Sequence, residues 1–187
     1  MKIIAGSLKN RVLSVPKNDC RPTNSQVREA VFNILMHSLE NATFLDICAG
    51  SGAIGLEALS RGASSAYFLE SNPNCLKAIR ENISKLNVES MAHIIPGDLF
   101  SSLNRLSKKN LSFTVCYVDP PYYKPGKPFL SAEILKTLDQ NELLAPGALL
   151  VLEESPKAAL AFPSLDKLKL IDTRFYGDSA IFIFSKK

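Results

Sequence analysis

The sequence predicts an α/β fold: an open, mostly parallel sheet with helices on both faces. Three observations predict it. From Asn41 onward, short β-branched or aromatic runs alternate with segments whose apolar residues recur at helical spacing, the signature of parallel strands joined by crossover helices. The first strand runs into "CAGSGAIG", a glycine-rich turn that opens a helix. The last two runs, "KLKLIDTRFYG" and "SAIFIFSKK", are joined by the short turn "YGDS", which makes them antiparallel neighbours.

Each element follows in order. "KIIAGSLKNRVLSVP" reads as two short strands around a turn at Gly6–Asn10. Thr23 and Gln26 have capping-box spacing, and Val27, Ala30, Val31, Ile34 and Leu35 recur at helical intervals. A helix is therefore expected over Asn24 to Leu39. "TFLDICAG" reads as a strand, "GAIGLEALSRG" as a helix stopped by Gly62, and "SAYFLES" as the next strand. Pro73 opens the helix "PNCLKAIRENISKLN", followed by the strand "AHIIPGD" and a weaker helix at Leu99 to Leu106. "TVCYV" is a strand stopped by Pro120 and Pro121, which have no N–H to give a ladder. A helix at Leu130 to Leu138 and the strand "ALLVLEES" precede the final pair. The expected division is an extension, residues 1–40, and a main domain, residues 41–187.

The 187 residues are 46% hydrophobic and 21% charged, the balance of an ordinary soluble globular protein with ample length for a core. No run reaches membrane-spanning length and residues 1–20 lack a signal-peptide core, so membrane and secreted classes are not expected. Cys20, Cys48, Cys75 and Cys116 lie far apart with no C-x-x-C pair. They read as reduced thiols of a cytoplasmic protein, against a zinc site or a disulfide framework. Of the net charge of +4, residues 1–40 carry +3, from Lys2, Lys9, Arg11, Lys17, Arg21 and Arg28 against three acids. A basic extension on a near-neutral domain points to a polyanionic partner, and equally to an ordinary solvated surface.

In open α/β sheets ligands bind beyond the carboxyl ends of the strands. Here the first strand ends in Gly50-x-Gly52-x-x-Gly55, a turn that allows close ligand approach at a helix N-terminus. The second ends in Glu70, 20 residues beyond Gly50, where a carboxylate accepts from ribose hydroxyls. The third ends in Asp98, placed to accept from an adenine amino group, and the fourth in Asp119-Pro120-Pro121-Tyr122. Asp119 and Pro120 each precede a proline and are held extended, so their carbonyls stand beside a carboxylate and an aromatic face. That set suits a flat group with an N–H donor. The glycine pattern also matches a dinucleotide fingerprint, but further acids at the rim and no evident hydride-transfer histidine favour a positively charged nucleoside over a pyrophosphate.

With these residues on the page, "DPPY", "DICAGSGAIGLEALSRGA" and "RPT…VREAVFN" together resemble the RsmD family, the 16S ribosomal RNA guanine-N2 methyltransferases that use S-adenosylmethionine. "DPPY" alone is shared by many amino-group methyltransferases; the combination is more specific and spans essentially the whole chain. The resemblance implies a class I methyltransferase fold, Rossmann-like with an antiparallel last strand. It implies Asp46, Gly50, Ser51 and Gly52 at the methionine end of the cofactor, Glu70 on its ribose and Asp98 near its adenine. Asp119, Pro120, Pro121 and Tyr122 would hold the target base, with the ring of Tyr122, rather than its hydroxyl, stacking on it. No metal is implied. Arg11, Arg21, Arg28, Lys124 and Lys127 are the expected RNA contacts, with bracing of the extension against the main domain the equal alternative for Arg21 and Arg28. The expected partner is 16S ribosomal RNA within a small-subunit particle or assembly intermediate. Still open are an adenine amine or a protein glutamine as target, an NAD-type oxidoreductase, and a nonenzymatic RNA-binding module.

Overall fold

The computed structural model describes residues 1–16, 24–109, 111–122 and 129–187, apart from the side chains of 159–161. Arg21, Lys124, Lys127, Thr23 and Cys20 lie outside these residues.

Seven strands form one sheet: β1 (Thr43–Ile47), β2 (Ser65–Glu70), β3 (Ala92–Pro96), β4 (Phe113–Val118), β5 (Leu144–Glu154), β6 (Leu168–Tyr176) and β7 (Ser179–Lys186). Their order is β3-β2-β1-β4-β5-β7-β6. β1 pairs in parallel with β2 and β4, β2 with β3, and β4 with β5, whereas β7 runs antiparallel to both β5 and β6. Strand order reverses between β1 and β4, so the crevice expected of such a sheet opens there. The helices are α1 (Ser25–Ile34), α2 (Ala53–Ser60), α3 (Pro73–Leu86), α4 (Leu99–Ser107) and α5 (Leu130–Gln140). One apolar cluster joins Phe44, Phe68, Val115 and Tyr117 of the sheet to residues of α1, α2 and α3. The other joins Leu45, Cys116, Leu150 and Phe182 to residues of α4 and α5. The alternation of β-strand side chains between the two faces produces this division.

The N-terminal region forms the expected hairpin in short form. Lys2 and Val12 make an antiparallel bridge, flanked by Ile3 N–H to the Arg11 carbonyl at 3.0 Å and Leu13 N–H to the Met1 carbonyl at 2.8 Å. The ladder stops beyond Ile3 because α2 takes the next backbone groups. Glu57, with no exposed surface, accepts from the Ile4 and Ala5 N–H groups at 2.8 and 3.0 Å. Ser60 accepts from Ser7 N–H through its carbonyl and from Leu8 N–H through its hydroxyl. Farther along, the Asn82 amide of α3 accepts from Ser14 N–H at 2.7 Å and donates to its carbonyl at 2.9 Å. Gly6 runs so close to α2 that a Cβ there would lie 1.7 Å from the Ser60 carbonyl oxygen, with φ at +83°. Ile3, Leu13, Val27, Val31, Phe32 and Leu35 accordingly belong to the same core as the sheet. α1 ends at Ile34 rather than Leu39, and its N-cap is Asn24, whose side chain accepts from Gln26 N–H.

Candidate functional site

The carboxyl end of β1 turns sharply into α2, and buried groups hold the turn. Asp46, only 1% exposed, points its Oδ2 at Gly55 N–H, 2.9 Å away, and so clamps the first turn of α2 to the strand. Burial, with Glu70 nearby, pushes the Asp46 carboxyl up to about 7 against the lowering effect of that bond. Gly55 tolerates no side chain: a Cβ would sit 2.3 Å from the Phe68 ring of β2. Glu70 closes the loop from the other side. Its carboxylate accepts from Gly50 N–H at 2.7 Å and from Ser71 and Asn72 N–H, both at 2.8 Å. Asp98 caps α4, accepting from Ser101 N–H at 2.9 Å, and these helix amides hold its carboxyl below the ordinary range.

These strand ends meet around an open cleft of about 590 Å³, large enough for a nucleoside ligand. Gly50, Glu70, Asp98, Asp119, Pro120, Pro121 and Tyr122 all line it, so seven expected residues come together on one rim. Asp46 and Ser51 line a small adjoining cleft of about 30 Å³ together with Gly50 and Asp119. The expected positions missed Cys48, Phe100 and Leu130, which supply apolar wall. Burial together with Glu70, Asp119 and Asp46 drives the Cys48 thiol up to about 12. That thiol stays protonated and is a poor nucleophile; burial is the main cause, and the three carboxylates add to it.

Past β4, Tyr122 reaches a buried carboxylate the sequence reading did not single out. Its hydroxyl donates to Glu153 Oε1 at 2.7 Å and lies 2.6 Å from Ser179 Oγ. The other oxygen of Glu153 accepts from the Tyr117 hydroxyl at 2.6 Å. The hydroxyl of Tyr122 is thus engaged, a contact outside the expectation that gave the stacking to its ring.

Of the expected RNA contacts within the described residues, Arg11 is exposed and donates to the Lys85 carbonyl at 2.9 Å. Arg28 is a correction. It is 3% exposed and donates to the Lys2 carbonyl at 2.7 Å, which makes it a brace inside the extension, away from any phosphate at the surface. Burial lowers its guanidinium from the usual range. The cysteine expectation also changes: Cys48 and Cys116 are free thiols, but Cys75 is disulfide-bonded. Among the described residues no cluster of His, Cys, Asp or Glu could hold a metal, and no helix is long and apolar enough to cross a membrane.

Comparison with known proteins places this geometry in context. The family model described as conserved hypothetical protein 95 matches residues 1–185. The ribosomal RNA small subunit methyltransferase D of Escherichia coli K12 is 34% identical over 161 residues, covering 86% of this chain and 77% of its own length. The solved chain of Escherichia coli yhhF superimposes with a TM-score of 0.83 at 29% identity, covering 100% of this chain and 98% of that one. An RNA methyltransferase from Salinibacter ruber, solved with S-adenosyl-L-homocysteine, shares the fold at a TM-score of 0.66 and 17% identity, over 89% and 94% of the two chains.

Proposed function

Because this chain belongs to the RsmD family, matched from residue 1 to residue 185, we propose that it methylates the exocyclic N2 amine of a guanine in 16S ribosomal RNA, using S-adenosylmethionine. The observation that carries the reading is the cleft of about 590 Å³ that gathers Glu70, Asp98 and the Asp119–Tyr122 turn on one rim. Its chemistry fits the cofactor, since carboxylates at three strand ends match a cationic nucleoside and repel a pyrophosphate. Glu70 would hold the ribose, Asp98 the adenine, and the Asp46–Gly52 turn the methionine end. When bound, S-adenosylmethionine supplies an electrophilic methyl group. The protein's own contribution is positioning and electrostatics. The guanine amine is a poor nucleophile because its lone pair is delocalised into the ring. Asp119 and the Pro120 carbonyl accept its two N–H groups and favour a pyramidal nitrogen, while the Tyr122 ring stacks on the base. The released proton passes to Asp119 or to water. Residues 1–40 serve as an RNA-binding extension to the catalytic domain 41–187, and the substrate is a small-subunit particle or assembly intermediate in the cytoplasm.

The test is labelled methyl transfer offered in parallel to small-subunit particles, DNA and protein. The expected product is N2-methylguanine in 16S ribosomal RNA. Asp119→Ala should keep cofactor affinity and lose turnover by about 100-fold or more, the range seen when a charge-stabilising group is removed. Label in DNA or protein, or near-normal turnover of Asp119→Ala, would overturn the proposal.

A further inference from the structure

We propose that Glu153 is a positioning residue for methyl transfer, fixing the Tyr122 ring on which the target base stacks; this rests on the base-binding role given to Tyr122 above. The strand β5 ends in two adjacent acids that point to opposite faces of the sheet. Glu154 turns toward α5 and accepts from the Ser131 hydroxyl at 2.6 Å. Glu153, on the face of Tyr117, is buried and accepts hydroxyls from two tyrosines at 2.6 and 2.7 Å, with Ser179 Oγ at 3.3 Å. A buried carboxylate is costly unless its lone pairs are filled. Two tyrosine hydroxyls from the carboxyl end of β4 and the turn after it fill one position on each oxygen, in bonds of the short, charge-assisted kind, and Ser179 at the start of β7 closes the group against Tyr122.

The consequence falls on Tyr122. This residue follows Pro120 and Pro121 and has left the ladder of β4, so no strand pairing sets the direction of its side chain. The hydroxyl anchor at Glu153 and Ser179 supplies a second fixed point at the far end of the ring. With the backbone held by prolines at one end and the phenol oxygen at the other, the position and direction of the ring axis are set before a base arrives. A ring that swings by an ångström misaligns the amine with the methyl donor, and a misplacement of that size costs about 100-fold in rate at its worst. Tyr117, whose hydroxyl takes the second oxygen, keeps the carboxylate from rotating away.

The experiment is single-turnover methyl transfer to small-subunit particles at saturating RNA, with cofactor affinity and melting temperature measured on the same proteins. Tyr122→Phe and Ser179→Ala should lower the rate, with Tyr122→Phe down roughly tenfold, while cofactor affinity stays at the wild-type value. Glu153→Leu should fall at least as far, and Glu153→Gln, which can still accept one hydroxyl, should recover most of the loss. The double variant Glu153→Leu/Tyr122→Phe should be no slower than Glu153→Leu alone, because both break one linkage. Should Glu153→Leu fail to fold, the Tyr122→Phe and Ser179→Ala rates decide. Wild-type rates in both overturn the positioning role. No transfer to RNA by the wild-type protein would instead sink the functional reading beneath it.

Discussion

Asp46 and Glu70 each spend carboxylate oxygens on backbone amides of the glycine loop, and each therefore orders the loop that we propose holds the cofactor. For Asp46 the sign of the pH effect follows from burial. Its folded value, about 7, lies above the roughly 3.9 of a free aspartate. Stability from this group is complete below the lower value and is lost as pH rises through the upper one. Wild-type melting temperature should therefore fall between pH 5 and pH 8. Asp46→Asn keeps an acceptor for Gly55 N–H but cannot titrate, so its melting curve against pH should be flatter; equal slopes in the two proteins would remove Asp46 as the cause. Glu70→Ala tests the other side of the loop. It should weaken S-adenosylmethionine by roughly 1–3 kcal/mol in calorimetry, the scale of lost charged hydrogen bonds. Unchanged affinity in a folded variant would take Glu70 out of the cofactor site.

The elements were legible where local chemistry alone decides them. Gly55, Pro73 and Pro120–Pro121 punctuate the chain by steric rules, and helical periodicity located α2 to α5. The N-terminal hairpin was legible but its early end was not, because the partners of Ile4 and Ala5 lie 53 and 52 residues away in sequence. Nothing local in "KIIAG" reveals that Glu57 will take its amides. A signal did exist: all eight residues of α2 are buried, and a helix with no solvent face must be covered on both sides. The acid in "GLEALS" was therefore an interior acceptor in search of donors. This view makes the extension an integral cover of α2, fixed at Gly6. Gly6→Ala should destabilise the protein by about 2 kcal/mol or more, because the new Cβ collides with backbone at Ser60 and the φ is unfavourable. A denaturation midpoint equal to that of the wild type would show that the segment can shift without loss.

At the scale of the molecule, sheet order sets where function sits. The reversal between β1 and β4 brings Gly50 and Asp119, 69 positions apart in sequence, to one cleft, and the acids of β2 and β3 follow in order. That convergence was readable, because every strand end could be named from the sequence. The Glu153 anchor was not: it requires knowing that β7 inserts between β5 and β6, which places Ser179 at the same rim. Charge is distributed unlike the acids. The cleft is negative, while the chain is +4 and the excess lies in residues 1–40. An acidic cleft repels phosphates, so we propose that the RNA backbone is held outside it, by cations elsewhere on the chain. Arg28 is excluded by burial, which leaves Arg11 and Arg21 on the extension and Lys124 and Lys127, just beyond Tyr122 in sequence, as the phosphate contacts we propose. Such contacts offset the cost of unstacking a base. Replacing Arg11, Lys124 and Lys127 together by Ala should weaken RNA binding and reduce the slope of log affinity against log salt by roughly two, about 0.7 per contact on single-stranded RNA. S-adenosylmethionine affinity should not change, since the proposal gives all three to phosphates of the RNA. An unaltered salt slope would mean that these cations are ordinary surface and that the RNA is gripped elsewhere.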